Sequence, residues 1–189
     1  MVYERSVKRW LDLSLAFVAL LLVSPLMLIA ALAIALDDGF PVLFRQIRVG
    51  RDGRTFNIFK FRSMPVATPS VPSAAARTLS ITRVGAFLRR SNIDELPQLF
   101  NVFSGEMSLV GPRPGLPSQT TLHDLRRQRG VERLRPGLTG LAQVNAFDRM
   151  SEIEKVEWEA RYAAHVSLWR DISIMFRTVA YLFRRPPVY

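Results

Sequence analysis

The stretch Leu15–Leu36, LAFVALLLVSPLMLIAALAIAL, decides how this chain can fold. Only Ser24 and Pro25 interrupt its 22 residues. At the helical rise it would be about 33 Å long, enough to cross a hydrocarbon core. The run is too long for the apolar region of a cleaved signal peptide. A retained membrane segment is therefore expected.

Two features make its topology less simple than a single transmembrane anchor. Ser24-Pro25 falls at the middle of the run, where proline removes a backbone hydrogen bond and clashes with the preceding turn. The Ser24 hydroxyl can bond a carbonyl one turn back and stabilise the resulting bend. The flanks are also basic on both sides, with Arg5, Lys8 and Arg9 before and Arg45, Arg48, Arg51 and Arg54 after. A spanning helix should show charge asymmetry under the positive-inside rule. Symmetric flanks suit a re-entrant helix that enters and leaves on the cytoplasmic face. Both topologies stay open from these residues alone. Residues 1–40 read as the membrane element and 41–189 as a cytoplasmic domain.

Composition narrows the rest. The 189 residues carry 26 Lys+Arg against 16 Asp+Glu, a formal charge of +10, yet 49% are hydrophobic. That apolar content excludes a disordered basic chain. With no cysteine there is no disulfide framework, thiolate zinc site or thiol nucleophile. Two histidines, His123 and His165, cannot build a multi-histidine metal centre. A basic but apolar chain calls for an anionic partner: nucleic acid, a membrane surface or a phosphorylated substrate.

Beyond the apolar run, Val42–Met64 alternates around Gly50-Arg51-Asp52-Gly53 and predicts a β-hairpin. Residues 65–80 are rich in Pro, Ser and Ala and predict a mobile loop. Val84–Phe103 has helical spacing, with Pro97 marking a break or a new first turn. Gly111-Pro112-Arg113-Pro114 predicts a rigid turn, Leu116–Gly130 a basic helix, and 135–140 another loop. Ser151 with Glu154 matches a capping box opening a helix to His165. Leu168–Phe183 spaces Trp169, Ile172, Met175, Phe176, Val179 and Phe183 helically beside arginines. That segment reads equally as an in-plane interfacial helix or as a core helix with a solvated face.

Asp94-Glu95 follows Arg89-Arg90. Such a pair can be a metal-holding or nucleophilic carboxylate couple, and it can also be plain helix-start chemistry. Neighbouring features add weight. Lys60 and Arg62 lie two residues apart and so share one strand face. Arg113 is fixed between two prolines, which suits bidentate phosphate recognition. The loop around Gly137 and Thr139 offers a hydroxyl on glycine-permitted backbone, with the Gln143 amide nearby. No Gly-Lys-Ser/Thr follows, so this is not a Walker loop.

These segments in order closely resemble the bacterial sugar transferase family, the monotopic phosphoglycosyl transferases. The resemblance runs through Ser24-Pro25, FKFRSM at Phe59–Met64, and ITRVGAFLRRSNIDELPQLFNVFSGEMSLVGPRP at Ile81–Pro114. It continues in RPGLTGLAQVN at Arg135–Asn145 and in Glu159, Tyr162, Ser167, Asp171 and Thr178. It implies an α+β, mostly helical protein with an N-terminal re-entrant membrane helix, a β-hairpin, and a small cytoplasmic globular domain with interfacial amphipathic helices. It implies transfer of a sugar 1-phosphate from a UDP-sugar to polyprenyl phosphate at the cytoplasmic face of the bacterial inner membrane, with Mg²⁺ as cofactor and no nucleic acid partner. Asp94 would be the nucleophile and Glu95 its partner, both near the metal. Lys60, Arg62, Arg89 and Arg113 would meet phosphates. Gly137, Thr139 and Gln143 would lie towards the nucleotide sugar, and Ser24 and Pro25 would break the membrane helix. The family often has Asn-Gly after Gln-Val, whereas Ala146 follows Asn145 here. The rival reading is a membrane-anchored basic protein that binds anionic lipid or nucleic acid without catalysis; it leaves Asp94-Glu95 unused. A second rival, a phosphatase with water as acceptor, would release free sugar phosphate.

Overall fold

The computed structural model describes residues 3–66, 68, 80–145 and 150–182. The apolar run lies inside one continuous helix, α1 (Lys8–Asp38), which Pro25 does not end. Ser24 Oγ donates to the Leu21 carbonyl at 2.9 Å, covering part of the disturbance. α1 is the one helix among the described residues long and apolar enough to cross a membrane by length and composition.

The packing of α1 is not legible from its hydropathy. Asp12, Ala16, Leu20, Val23, Met27, Ala30 and Ile34 recur every three or four residues and form one stripe against the rest of the protein. Towards the N-terminal end that stripe meets Phe56, Ile58, Leu99 and Met107; towards the C-terminal end it meets Phe61 and Leu88. Small alanines let the helix approach closely. The opposite side, including Leu22, Leu28 and Leu36, is exposed and apolar along its length.

The hairpin forms as expected, β1 (Leu43–Val49) pairing antiparallel with β2 (Thr55–Phe61) so that Phe44 faces Lys60. Asp52 (φ 54°) and Gly53 (φ 74°) take the positive φ that closes the turn. The predicted helix over 84–103 divides around Asn92, and Pro97 opens its second part as a new first turn. α2 (Arg83–Arg90) stops at Asn92, which is left-handed, and Ile93–Glu95 form a 3₁₀ turn before α3 (Gln98–Ser104). Asp94 and Glu95 therefore sit on a tight connector and not at an α-helix start. Gly105 (φ 94°) caps α3, and Arg9 from α1 bonds the Val102 and Phe103 carbonyls there at 2.7 and 3.0 Å.

The loop expected over 135–140 contains a strand. β3 (Ser108–Val110) and β4 (Gly137–Thr139) pair in parallel. α4 (Thr120–Gln128) starts four residues later than the basic helix expected from Leu116. α5 (Leu141–Asn145) is followed by α6 (Glu152–Ala164), which carries the capping box in full, Ser151 Oγ accepting from Glu154 N–H and Glu154 returning to Ser151 N–H. In α7 (Leu168–Leu182) the core residue is Ile174, while Trp169 and Phe176 are 78% and 72% exposed. The stripe divides: Met175 packs half-buried on the core beside Ile174, whereas Trp169, Phe176 and Val179 face outwards. Most of the expected loop over 65–80, together with Phe183 and Ala146, lies outside the described residues.

The termini of this fold are tied by a buried polar knot. Asp171 on α7 accepts from Tyr3, Lys8 and Tyr162 at 2.7, 2.6 and 2.6 Å. Burial and the Asp171 charge push both tyrosine hydroxyls far above their ordinary titration range.

Candidate active site

A cavity of ≈ 690 Å³ opens between the hairpin, the stretch from Phe40 that follows α1, the 3₁₀ connector and Arg113. It gathers six of the residues singled out from sequence: Lys60, Arg62, Arg89, Asp94, Glu95 and Arg113.

The carboxylate pair is asymmetric. Glu95 Oε1 accepts from Lys60 Nζ at 2.6 Å and from Arg113 Nη2 at 2.7 Å. Burial alone would raise the Glu95 carboxyl, but the Arg113 and Lys60 charges and hydrogen bonds outweigh it and hold the group well below the carboxylate range. Asp94 is 8% exposed. Burial pushes its carboxyl up to about 6, against the pull of Lys60 and with help from the neighbouring Glu95 charge. Two adjacent acids thus differ: one is a fixed anion and the other titrates near neutrality, the separation that divides roles between paired carboxylates.

Arg89 reaches the cavity because α2 lies against the strand exit. A Cβ built on Gly85 would fall 2.1 Å from the Ser63 carbonyl oxygen, so only glycine permits this approach. One turn on, Arg89 Nε donates to Ser63 Oγ at 2.8 Å. Arg62 turns to the end of α1, bonding the Asp38 and Gly39 carbonyls at 2.7 and 2.8 Å, with an ion pair to Asp38 at 3.1 Å. It caps a helix C-terminus while still lining the cavity.

Arg113 rests on a segment whose carbonyls are each held. Gly137 N–H donates to Pro112 O at 2.9 Å, Arg126 Nη2 to Arg113 O at 2.8 Å and Arg48 Nη1 to Pro114 O at 3.3 Å. Gly111 N–H returns to Thr139 O at 2.8 Å. Gly137 and Thr139 therefore stand behind the Arg113 segment and not on the cavity wall. Thr139 Oγ1 is 2.6 Å from Thr178 Oγ1, and Gln143 Nε2 donates to Leu138 O at 3.2 Å. These three residues are not brought to the carboxylate pair. Ser24 and Pro25 lie exposed midway along α1.

Sequence reasoning missed two contributors. Arg48 lines the cavity, but its charge could be read as a membrane-flanking cation. Burial, more than the neighbouring Arg113 charge, lowers it to about 10. Arg126 forms a buried bidentate pair with Glu159 (2.7 and 2.6 Å) and carries the Arg113 backbone on the same guanidinium. Thirty-three residues separate those partners, so no local pattern could reveal them.

Among the described residues no group of three or more His, Cys, Asp or Glu gathers. The pair Asp94–Glu95 still fits a Mg²⁺ site, because that ion is held through one or two carboxylates with substrate phosphates and water completing the shell. Both cations bond Glu95 through Oε1, so its second oxygen carries neither of those bonds.

Residues 3–185 match the bacterial sugar transferase family. The chain belongs to that family. It is 41% identical over 189 residues to the UDP-glucose:undecaprenyl-phosphate glucose-1-phosphate transferase of Escherichia coli (strain K12), covering 93% of this chain and 40% of the relative. A protein of the same description from Caulobacter vibrioides (strain ATCC 19089 / CIP 103742 / CB 15) is 42% identical over 191 residues, covering 96% and 72%. The UDP-N-acetylgalactosamine-undecaprenyl-phosphate N-acetylgalactosaminephosphotransferase of Aeromonas hydrophila is 41% identical over 180 residues, covering 92% and 43%. The chain spans 35–40% of the length of the first three relatives. Family members with this stretch in common thus include proteins named for two different sugars.

Proposed function

We propose that this family member is a phosphoglycosyl transferase, moving a sugar 1-phosphate from a UDP-sugar to a polyprenyl phosphate at the cytoplasmic face of the bacterial inner membrane. The observation that carries this reading is buried Asp94 beside half-buried Glu95, set among Lys60, Arg89 and Arg113 in a cavity just beyond the end of the apolar helix. The names of the relatives support the same substrate classes.

In this reading an Asp94 oxygen attacks the sugar-bearing phosphorus of the donor. The bond from that phosphorus to the bridging oxygen breaks, and UMP leaves with the electron pair. A phosphate oxygen of the polyprenyl phosphate then attacks the same phosphorus, breaks its bond to Asp94 and regenerates the carboxylate. Two steps let a water-soluble donor and a lipid acceptor use one site in turn. Arg113, fixed by its neighbours, and Arg89 offset the phosphate charge that would repel the nucleophile. Lys60 keeps Glu95 ionised and in place. Asp94 and Glu95 would hold Mg²⁺, which when bound supplies charge neutralisation at the phosphates.

The placement of α1 supports a monotopic topology. A straight span would carry one end about 30 Å from a domain on the other side. Here one stripe packs on the same domain from Asp12 to Ile34, leaving the opposite apolar side for lipid. Exposed Phe103 on α3 lies 6.4 Å, ring to ring, from exposed Phe17 on α1 and extends that surface. Basic flanks then stay together on the cytoplasmic side.

The test is incubation of the purified protein with polyprenyl phosphate, Mg²⁺ and a panel of UDP-sugars, following UMP and the lipid product. A lipid-linked diphosphate sugar, lost in Asp94→Asn, is the expected result. Free sugar phosphate would indicate a phosphatase, and lipid binding without turnover a binding protein. Topology is tested with single cysteines near Met1 and on α6, using an impermeant thiol reagent on intact cells. Labelling of the N-terminal site from the periplasm would overturn it.

A further inference from the structure

The cavity is not uniform. One face of β1 presents Phe44, Gln46 and Arg48 in succession, since alternate residues share a face. Polarity thus rises along a single strand, from an aromatic ring to a guanidinium within hydrogen-bond distance of the Pro114 carbonyl. Phe40, Met64 and Val66 add apolar lining, with Arg62 bonding the Gly39 carbonyl next to Phe40 and Lys60 standing opposite Phe44 across the hairpin; Asp94 and Arg113 line the same cavity. Phe40, 79% exposed, stands at the rim. Leu32 and Leu36, four residues apart on the outer side of α1, are also exposed, as is Phe40 two residues beyond the helix end.

A nucleotide sugar is polar apart from its base, which one aromatic ring would cover while the aliphatic lining stayed bare. An amphiphile with a phosphate head and a hydrocarbon tail matches it end to end. We infer that the apolar wall of Phe40, Phe44, Met64 and Val66 seats the first isoprene units of the acceptor, with its phosphate turned towards Arg48 and the carboxylate pair. This assignment rests on the transferase reading above and adds to it the residues that would distinguish a lipid acceptor from a soluble phosphate. The acceptor slides in from the lipid along Leu32, Leu36 and Phe40, so its head never has to leave the interface.

Phe40→Asp puts a charge where a methyl-branched chain would lie, and its exposure means the fold does not depend on it. Activity is measured in mixed micelles of fixed detergent content, with a short-chain polyprenyl phosphate as acceptor. The kcat/KM for the acceptor should fall about tenfold, the effect of losing roughly 1.4 kcal/mol of apolar contact. The kcat/KM for the UDP-sugar should stay within about twofold, and Phe40→Leu should restore the acceptor value. Co-sedimentation of Phe40→Asp with anionic lipid vesicles should match the wild type, which separates this effect from loss of membrane attachment. An acceptor kcat/KM changed less than threefold, a parallel fall for the donor, or lost co-sedimentation would overturn the assignment. A wild-type protein inactive with every donor would instead overturn the transferase reading itself.

Discussion

Gly85 lies so close to Ser63 that a side-chain carbon on the glycine would sit 2.1 Å from the serine carbonyl oxygen. Helix propensity alone favours alanine over glycine by about 1 kcal/mol in a position inside α2. The backbone of Ser63 cannot yield as a flexible side chain would. Gly85→Ala should therefore destabilise the protein, by about 1–3 kcal/mol as for other overpacked contacts, and should displace Arg89 from Ser63. Thermal unfolding of the detergent-solubilised variant checks this; an unchanged or raised midpoint would mean that α2 does not seat as described.

Arg113 differs from a surface arginine in its partners. Arg113→Lys keeps a charge but loses the fork that can hold Glu95 and a phosphate together. Turnover should fall about tenfold or more. Arg127→Lys, exposed and paired with Asp124 and Glu132, should stay within about twofold. Equal losses at the two positions would remove the special role of Arg113.

Glu159→Ala leaves the buried Arg126 guanidinium without its counter-charge. Breaking one side of a buried pair costs about 3–5 kcal/mol, so the unfolding midpoint should drop by roughly 10 °C for a chain of this size. Because Arg126 also carries the Arg113 carbonyl, kcat should fall in whatever fraction stays folded. Glu159→Gln, which retains one acceptor, should lie between the two. A midpoint unchanged in Glu159→Ala would contradict the pair.

Asp94 makes a pH-dependent contribution whose sign is fixed by burial. Its folded value near 6 lies above the ordinary 3.8. Below 3.8 both states hold the proton and the buried neutral acid contributes fully; as pH rises towards 6 the unfolded chain loses its proton first, and stability declines. Asp94→Asn removes this loss. In metal-free protein, the variant should be more stable than wild type at pH 7.5 by on the order of 3 kcal/mol, with the difference shrinking towards pH 4. A constant difference across that range would show that Asp94 is not desolvated.

Much of this architecture is written in local pattern. The hairpin follows from alternation around a glycine-bounded turn, and the helix at Ser151 from its capping box. The association of Asp94-Glu95 with Lys60, Arg89 and Arg113 was legible as a set of charges. What stayed hidden depends on distance or on backbone. β3 and β4 have three residues each and meet because Gly111, Gly137 and Gly140 let main chains touch, a signal indistinguishable from loop glycines. The division of the 84–103 helix at Asn92 turns on one left-handed residue, whereas Pro97 fits the start of α3. Beyond Asp12, the stripe of α1 that faces protein is Ala16, Leu20, Val23, Met27, Ala30 and Ile34, the same residue types that would face lipid.

That stripe changes what it means to make this protein soluble. Cutting the chain after residue 40 would not release a catalytic domain from a leash. It would strip Ala16 from beside Met107 and Ile34 from beside Phe61, leave Arg62 without the helix end it caps, and take Lys8 from Asp171. Expression and purification should start from the full chain in a detergent or bilayer mimic, since the greasy helix is as much interior as it is attachment.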